Sequence, residues 1–202
     1  MVDTDIPTID RTKRVAALWA TAVAVPVTIL VGVIAFFTIQ PEKNDKSPHK
    51  PIPDTPVVMD APQLDEKSAR ACLAVTSQLP DKIRDLPARP VSAGPEQNAA
   101  YGEPPVTVAC GVPQPETCKV PGDTTPGCVP MDTELLVMNK VCWYAASADG
   151  TDTFTTMDRE VPVRVSVPSS FTSSAQWANE FSDTVVATVK SKDPATTPYG
   201  CK

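Results

Sequence analysis

The hydrophobic pattern divides the chain in two. Residues 15–39 carry no charge, and Arg11, Lys13 and Arg14 stand directly before them. At about 1.5 Å rise per residue, roughly 20 apolar residues cross a hydrocarbon core of about 30 Å. This run is therefore expected to form a transmembrane helix with room to tilt. Pro26 and Gly32 lie inside it, and both are tolerated in lipid. Trp19 is placed as an interfacial anchor. Past residue 62 the apolar positions become periodic. Leu64, Cys72, Val75 and Leu79 recur at helical spacing, which predicts an amphipathic helix over 64–79, stopped by Pro80.

Shorter patterns follow. A short strand is expected at 88–92, a helical turn at 95–101 ending at Gly102, and an alternating strand at 106–110. Residues 111–131, with their prolines, glycines and two cysteines, read as mostly loop. Strands are predicted over 133–138 and 141–147 around Asn139-Lys140, then over 153–157 and 161–167 after the hairpin signal Asp149-Gly150. In the last strand Val161, Val163, Val165 and Val167 share one face, with Arg164 and Ser166 on the other. Ser173-x-x-Gln176 fits a capping box opening one helix, whose stripe is Trp177, Phe181, Val185 and Val189. Trp143 and Tyr144 project to opposite faces of their strand. The plainer reading is that core and loop cover both; with one in the core and the other exposed, the exposed one would be a candidate partner contact. The fold class expected is α+β: an N-terminal transmembrane helix, then a small antiparallel sheet packed against two helices and stabilised by disulfides.

Flanking charge gives the run at 15–39 a direction. Glu42, Lys43, Asp45 and Lys46 nearly cancel after it, so the positive-inside rule puts 1–14 in the cytoplasm and the rest outside. A cleaved signal peptide would have an apolar region of about 7–15 residues and an A-x-A-like site. Neither is found here, so an uncleaved signal-anchor is the reading preferred. Proline density over 40–62 suggests an extended spacer rather than a ligand for a proline-binding module. The domains are then 1–14 cytoplasmic, 15–39 transmembrane, 40–62 linker and 63–202 extracytoplasmic. The expected location is the plasma membrane, single-pass.

That compartment bears on the six cysteines, Cys72, Cys110, Cys118, Cys128, Cys142 and Cys201. Outside the membrane an even set is expected to oxidise. Six cysteines allow fifteen pairings. The set preferred is Cys72–Cys201, Cys118–Cys128 and Cys110–Cys142. A zinc or thioredoxin-like site would want Cys-x-x-Cys, which does not occur, and the single histidine, His49, lies in the linker.

Without a histidine in the domain, Ser-His-Asp and Cys-His arrangements cannot be assembled, and no phosphate-cradling glycine motif occurs. Two carboxylates could still hydrolyse a glycan, with Asp149, Asp152, Asp158 and Glu160 as candidates; the plainer reading is solvated acids at turns. From residue 60 onward 12 Lys and Arg face 18 Asp and Glu, a net of −6, which disfavours nucleic acid.

Ala71-Cys72, Leu79-Pro80 and Ala88-Arg89-Pro90-Val91 resemble the opening of an actinobacterial family of uncharacterised, membrane-anchored or exported envelope proteins, a domain of unknown function (the thirty-five-fifteen family). Ala100-Tyr101-Gly102-Glu103-Pro104-Pro105-Val106, Cys110-Gly111-Val112-Pro113, Val141-Cys142-Trp143 and Thr153-Phe154-Thr155-Thr156 continue the resemblance. It implies one small extracytoplasmic domain and carries over no catalytic residue. The chain departs from the family pattern between Cys110 and Val141, which opens Cys110–Cys128 or Cys110–Cys118 as substitutes for Cys110–Cys142. The expectation is a non-enzymatic accessory or binding subunit of an envelope or membrane complex, with no cofactor or metal. Its partners would be lipid around 15–39 and another membrane or envelope protein. The alternatives are a carboxylate enzyme on envelope glycan and a small-ligand or lipid carrier.

Overall fold

The computed structural model describes residues 25–31, 33, 54–123, 128–195, 197 and 201. The chain falls into two units, Met1–Lys50 and Pro51–Lys202. In the first, residues 25–31 are helical, and Val25, Val27, Ile29 and Leu30 stand exposed. Val33 is described too; the rest of the expected span, the cytoplasmic 1–14 and residues 40–53 lie outside the described residues. Among the described residues no helix is long and apolar enough to cross a membrane.

The second unit is built on an eight-stranded antiparallel sheet. In chain order the strands are β1 (Lys82–Ile83), β2 (Leu86–Arg89), β3 (Asn98–Tyr101) and β4 (Val106–Cys110), then β7 (Leu136–Met138), β8 (Val141–Ala148), β9 (Thr151–Thr156) and β10 (Val163–Pro168). They lie side by side as β1-β2-β3-β4-β10-β9-β8-β7. A separate parallel pair, β5 (Glu116–Thr117) with β6 (Cys128–Val129), sits inside the segment expected to be mostly loop. The turns at Asn139-Lys140 and Asp149-Gly150 have positive φ at both central residues, the geometry that matches strand twist in a two-residue hairpin.

Residues 98–101 correct an expectation: they form a strand and not a helical turn. Asn98 pairs with Ala109 and Tyr101 with Val106, and cross-strand pairing outweighs the helical leaning of the two alanines.

Three helices lie on one face of the sheet: α1 (Glu66–Gln78), α2 (Ser174–Asn179) and α3 (Ser182–Thr188). Asp65 caps α1, accepting from the Lys67 and Ser68 amides and the Ser68 hydroxyl. The Ser68 hydroxyl and amide, then the Lys67 amide, hold its carboxyl below the usual range. The two helices expected are thus three, because the C-terminal stripe is broken at Glu180-Phe181. There the chain tightens, the Phe181 amide donating to the Ala178 carbonyl. The break seats Phe181 against Tyr101, ring centroids 5.8 Å apart. The capping box is not formed either. Ser173 sits in the left-handed region at φ 56° and its side chain makes no capping bond, whereas a capping serine needs extended backbone.

The core between the layers joins Val106, Val108, Val163, Val165 and Val167 to Cys72, Val75, Trp177, Phe181 and Val185. Trp143 is fully buried there, and its indole N–H donates to Ser182 Oγ at 3.2 Å. A buried indole needs such a partner.

All six cysteines are bonded. Cys118–Cys128 forms as expected, but the other two pairs are Cys72–Cys110 and Cys142–Cys201, with Cα atoms 5.4 Å and 5.5 Å apart. Cys72–Cys201, Cys110–Cys142 and the substitutes Cys110–Cys118 and Cys110–Cys128 are therefore corrected. The reason is facial: Cys110 lies on the buried side of β4 with Val106 and Val108, under the apolar stripe of α1 that carries Cys72. Cys142 lies on the other side of the sheet, out of reach of both.

Candidate functional site

Strand alternation puts a second set of side chains on the sheet face without helices. From the register these are Thr107 and Ala109 on β4, Arg164 and Ser166 on β10, Thr153 and Thr155 on β9, and Tyr144 and Ala146 on β8. All but Arg164 and Tyr144 are small. A row of small residues lowers the middle of the face.

Two covers leave that middle open. Toward β2 and β3, residues 54–62, within the stretch expected to be linker, run along the sheet. The Val57 amide donates to the Pro90 carbonyl at 2.8 Å, and Asn98 Nδ2 donates to the Asp60 carbonyl at 2.9 Å. Arg89, buried beneath them, donates through Nη2 to the Thr55 carbonyl and through Nη1 to the Gly102 carbonyl, and pairs with Glu103. Toward β8, the loop after β4 folds back. Gln114 Nε2 donates to the Thr156 carbonyl, while Lys192 Nζ donates to Gln114 Oε1 at 2.7 Å and to the Met157 carbonyl. Burial holds the Lys192 ammonium below its usual value.

Between the covers lies a trough of two depressions, about 710 Å³ on the side of residues 58–62 and about 420 Å³ on the side of Tyr144. Pro113 and Arg164 border both. Its floor is hydroxyl and methyl, its walls proline and valine. The charged side chains lining it are Arg164 and, on the rim, exposed Asp60. Arg164 Nε donates to Thr155 Oγ1 at 3.2 Å, which pins the guanidinium along β9.

The acidic candidates do not converge. Asp149 and Asp152 sit at one end of β9 and Asp158 and Glu160 beyond the other; its six residues span about 20 Å at about 3.3 Å each. Asp149 is exposed in its turn. The Ser147 and Ser174 hydroxyls hold the Asp152 carboxyl below its usual range. Asp158 lies 3.4 Å from Arg159. Glu160 pairs with Lys67 at 2.8 Å, which lowers the carboxyl and raises the ammonium. Glu160 and Lys67 do border a groove of about 460 Å³ between α1 and the segment after α3, but both its carboxylates are taken up in ion pairs, Glu160 with Lys67 and Glu66 with Arg70.

Cys118, Asp123 and Cys128 place potential metal-ligand atoms within 4.8 Å of one another, but the two sulfurs are joined and offer no thiolate. Of the adjacent aromatics, Trp143 is core, and half-buried Tyr144 packs beside Val129 and Met157 at the trough's end. Sequence reasoning set Arg164 and Ser166 opposite the valines without giving them a role. Their signal was an arginine among small residues on one strand face.

A family model described as "Protein of unknown function (DUF3515)" matches residues 23–194. No curated protein and no solved structure matches the chain.

Proposed function

Since the chain belongs to the DUF3515 family of proteins of unknown function, we propose that it is a membrane-anchored, non-enzymatic binding subunit of an envelope or membrane protein complex, and that it engages its partner with the open face of the sheet. Three disulfides in the one domain suggest an extracytoplasmic setting. The uncharged run at 15–39, with basic residues before it, supports an anchor whose N-terminus stays in the cytoplasm.

The observation that carries the reading is the trough: a concave, preformed surface walled by chain segments tied down on both sides. Concave sites with a few placed polar groups are where ligands are held. A floor of Thr107, Ser166, Thr153 and Thr155 suits backbone amides and carbonyls better than an acyl chain, which disfavours the lipid carrier. The scattered acids and the domain's lack of histidine favour binding over glycan hydrolysis.

Gentle solubilisation and affinity capture test this. The wild-type protein is expected to bring down a stoichiometric partner. The trough-filling variants Ala109→Trp and Ala146→Trp should lose it while keeping all three disulfides. Recovery of the wild-type protein strictly alone, or retention of the partner by both variants, would overturn the reading.

A further inference from the structure

Among the described residues, four arginines each meet a carboxylate: Arg70 with Glu66, Arg84 with Glu180, Arg89 with Glu103 and Arg159 with Asp158. Arg164 is the fifth, and it is in no ion pair among them. It is not a freely solvated surface cation either. It is half-buried in the floor of the trough, held at Nε by Thr155 Oγ1, so the terminal nitrogens are the part of the fork left for a ligand. This occurs in a domain where acids outnumber bases 18 to 12 from residue 60 onward.

We propose that Arg164 recognises a carboxylate on an extended peptide segment of the partner laid along the trough, an inference that rests on the trough being the docking face. The guanidinium presents a planar set of donors that matches a carboxylate through two parallel hydrogen bonds. Partial burial strengthens that pairing relative to water. Shape selects the peptide. From β4 across β10 and β9 to β8 are three strand spacings of about 4.8 Å, about 14 Å, the reach of roughly four extended residues. The walls, from Pro62 to Pro113 and Pro115, are apolar and bring no prolyl amide to compete for a peptide's carbonyls. Thr153 Oγ1 already donates to the Ala146 carbonyl at 3.2 Å and can only accept, while the Thr107 and Ser166 hydroxyls can serve backbone groups of either polarity. The carboxylate can come from an Asp or Glu side chain or from a chain terminus, and the chemistry at Arg164 is the same.

The test uses full-length protein in mild detergent and three synthetic peptides followed by NMR titration: acetyl-Ala-Pro-Ala-Glu-Ala-Pro-Ala-amide, its Gln counterpart, and the Gln peptide with a free C-terminal carboxylate. One of the two carboxylate peptides is expected to bind at least tenfold tighter than the Gln amide, and which one does so identifies the source. Arg164→Met should abolish the difference, Arg164→Lys should keep part of it, and Thr155→Val, which frees the guanidinium, should weaken it several-fold. Equal binding of all three peptides, no binding of any, or a preference that survives Arg164→Met would overturn the proposal. Partner capture separates the two levels. If Ala109→Trp loses the partner while Arg164→Met retains it, the trough remains the docking face and the carboxylate is wrong. If both variants and Ala146→Trp retain it, both readings fall.

Discussion

Removing the Cys72–Cys110 bridge with the double variant Cys72→Ala/Cys110→Ala tests the joint between the helical layer and the sheet. The bridge closes a loop of 38 residues. In the chain-entropy treatment that loop lowers the unfolded state's entropy by about 13 cal/mol/K, or about 4 kcal/mol at 25 °C. Both residues are buried, at 0% and 3% exposure, so two sulfur atoms also leave the core, at about 1 kcal/mol each by analogy with a lost methylene. The sum, about 6 kcal/mol, rivals the whole stability of many domains. Cys118–Cys128 closes only 10 residues, about 2.7 kcal/mol on the same scale, and it lies outside the main sheet. Urea unfolding followed by tryptophan fluorescence is suitable, because Trp143 and Trp177 are core residues. With a slope of about 2 kcal/mol/M, the Cys72/Cys110 variant should unfold about 3 M earlier than wild type, or not fold at all. Cys118→Ala/Cys128→Ala should shift by about half as much. An equal shift for the two pairs, or a larger one for Cys118/Cys128, would refute the reasoning.

Three further outcomes follow from named contacts. Burial, then the nearby Asp81 charge, pushes the Tyr101 phenol up to about 12; its O–H donates to the Pro80 carbonyl at 2.9 Å. The folded-state value is raised, so its contribution is fully present below about pH 10 and is lost toward 12, about 3 kcal/mol at 1.36 kcal/mol per unit. An ultraviolet titration should show a tyrosinate component near pH 12 that Tyr101→Phe deletes; an unchanged curve would contradict the assignment. For Asp152 the shift is downward, so its stabilisation is present above its unfolded value and is lost as pH falls through the lower folded one. Asp152→Asn should flatten the acid limb of the stability curve, and an unaltered limb would count against the Ser147 and Ser174 bonds. Arg89→Met removes the tie to the Thr55 carbonyl and leaves the buried Gly102 carbonyl unpaired, at about 1–3 kcal/mol. Hydrogen exchange at the Val57 and Ser92 amides should speed up far more than across β9 and β10; a uniform change would mean residues 54–62 are held otherwise.

Local chemistry explains which parts of the fold could be read from the sequence. Asp149-Gly150 specifies a turn with positive φ, and the Val-x-Val-x-Val run of β10 specifies a face, so both came through. Asn98–Tyr101 did not, because two alanines carry little strand preference and the pairing with β4 that decides their fate is non-local. The break at Glu180-Phe181 was hidden for the same reason: the stripe of Trp177, Phe181 and Val185 is periodic, but only the packed core separates Phe181, against Tyr101, from Trp177, whose ring meets Phe171 at 4.9 Å. The pairing of Cys72 with Cys110 had a usable signal, since each sits on an apolar stripe, whereas Cys142, next to Trp143, faces the other way. The trough was half legible. Its floor follows from alternation, but its walls come from segments whose prolines say only that they are not helix.

The central claim is that the open face, and not the helical face, meets the partner. Site-specific photocrosslinking in the native membrane tests it most directly, with a benzoylphenylalanine at exposed Val58 on the rim of the trough and, separately, at exposed Leu73 on α1. A discrete crosslinked partner from position 58 and none from position 73 is the predicted result. A partner captured from position 73 alone would contradict the account.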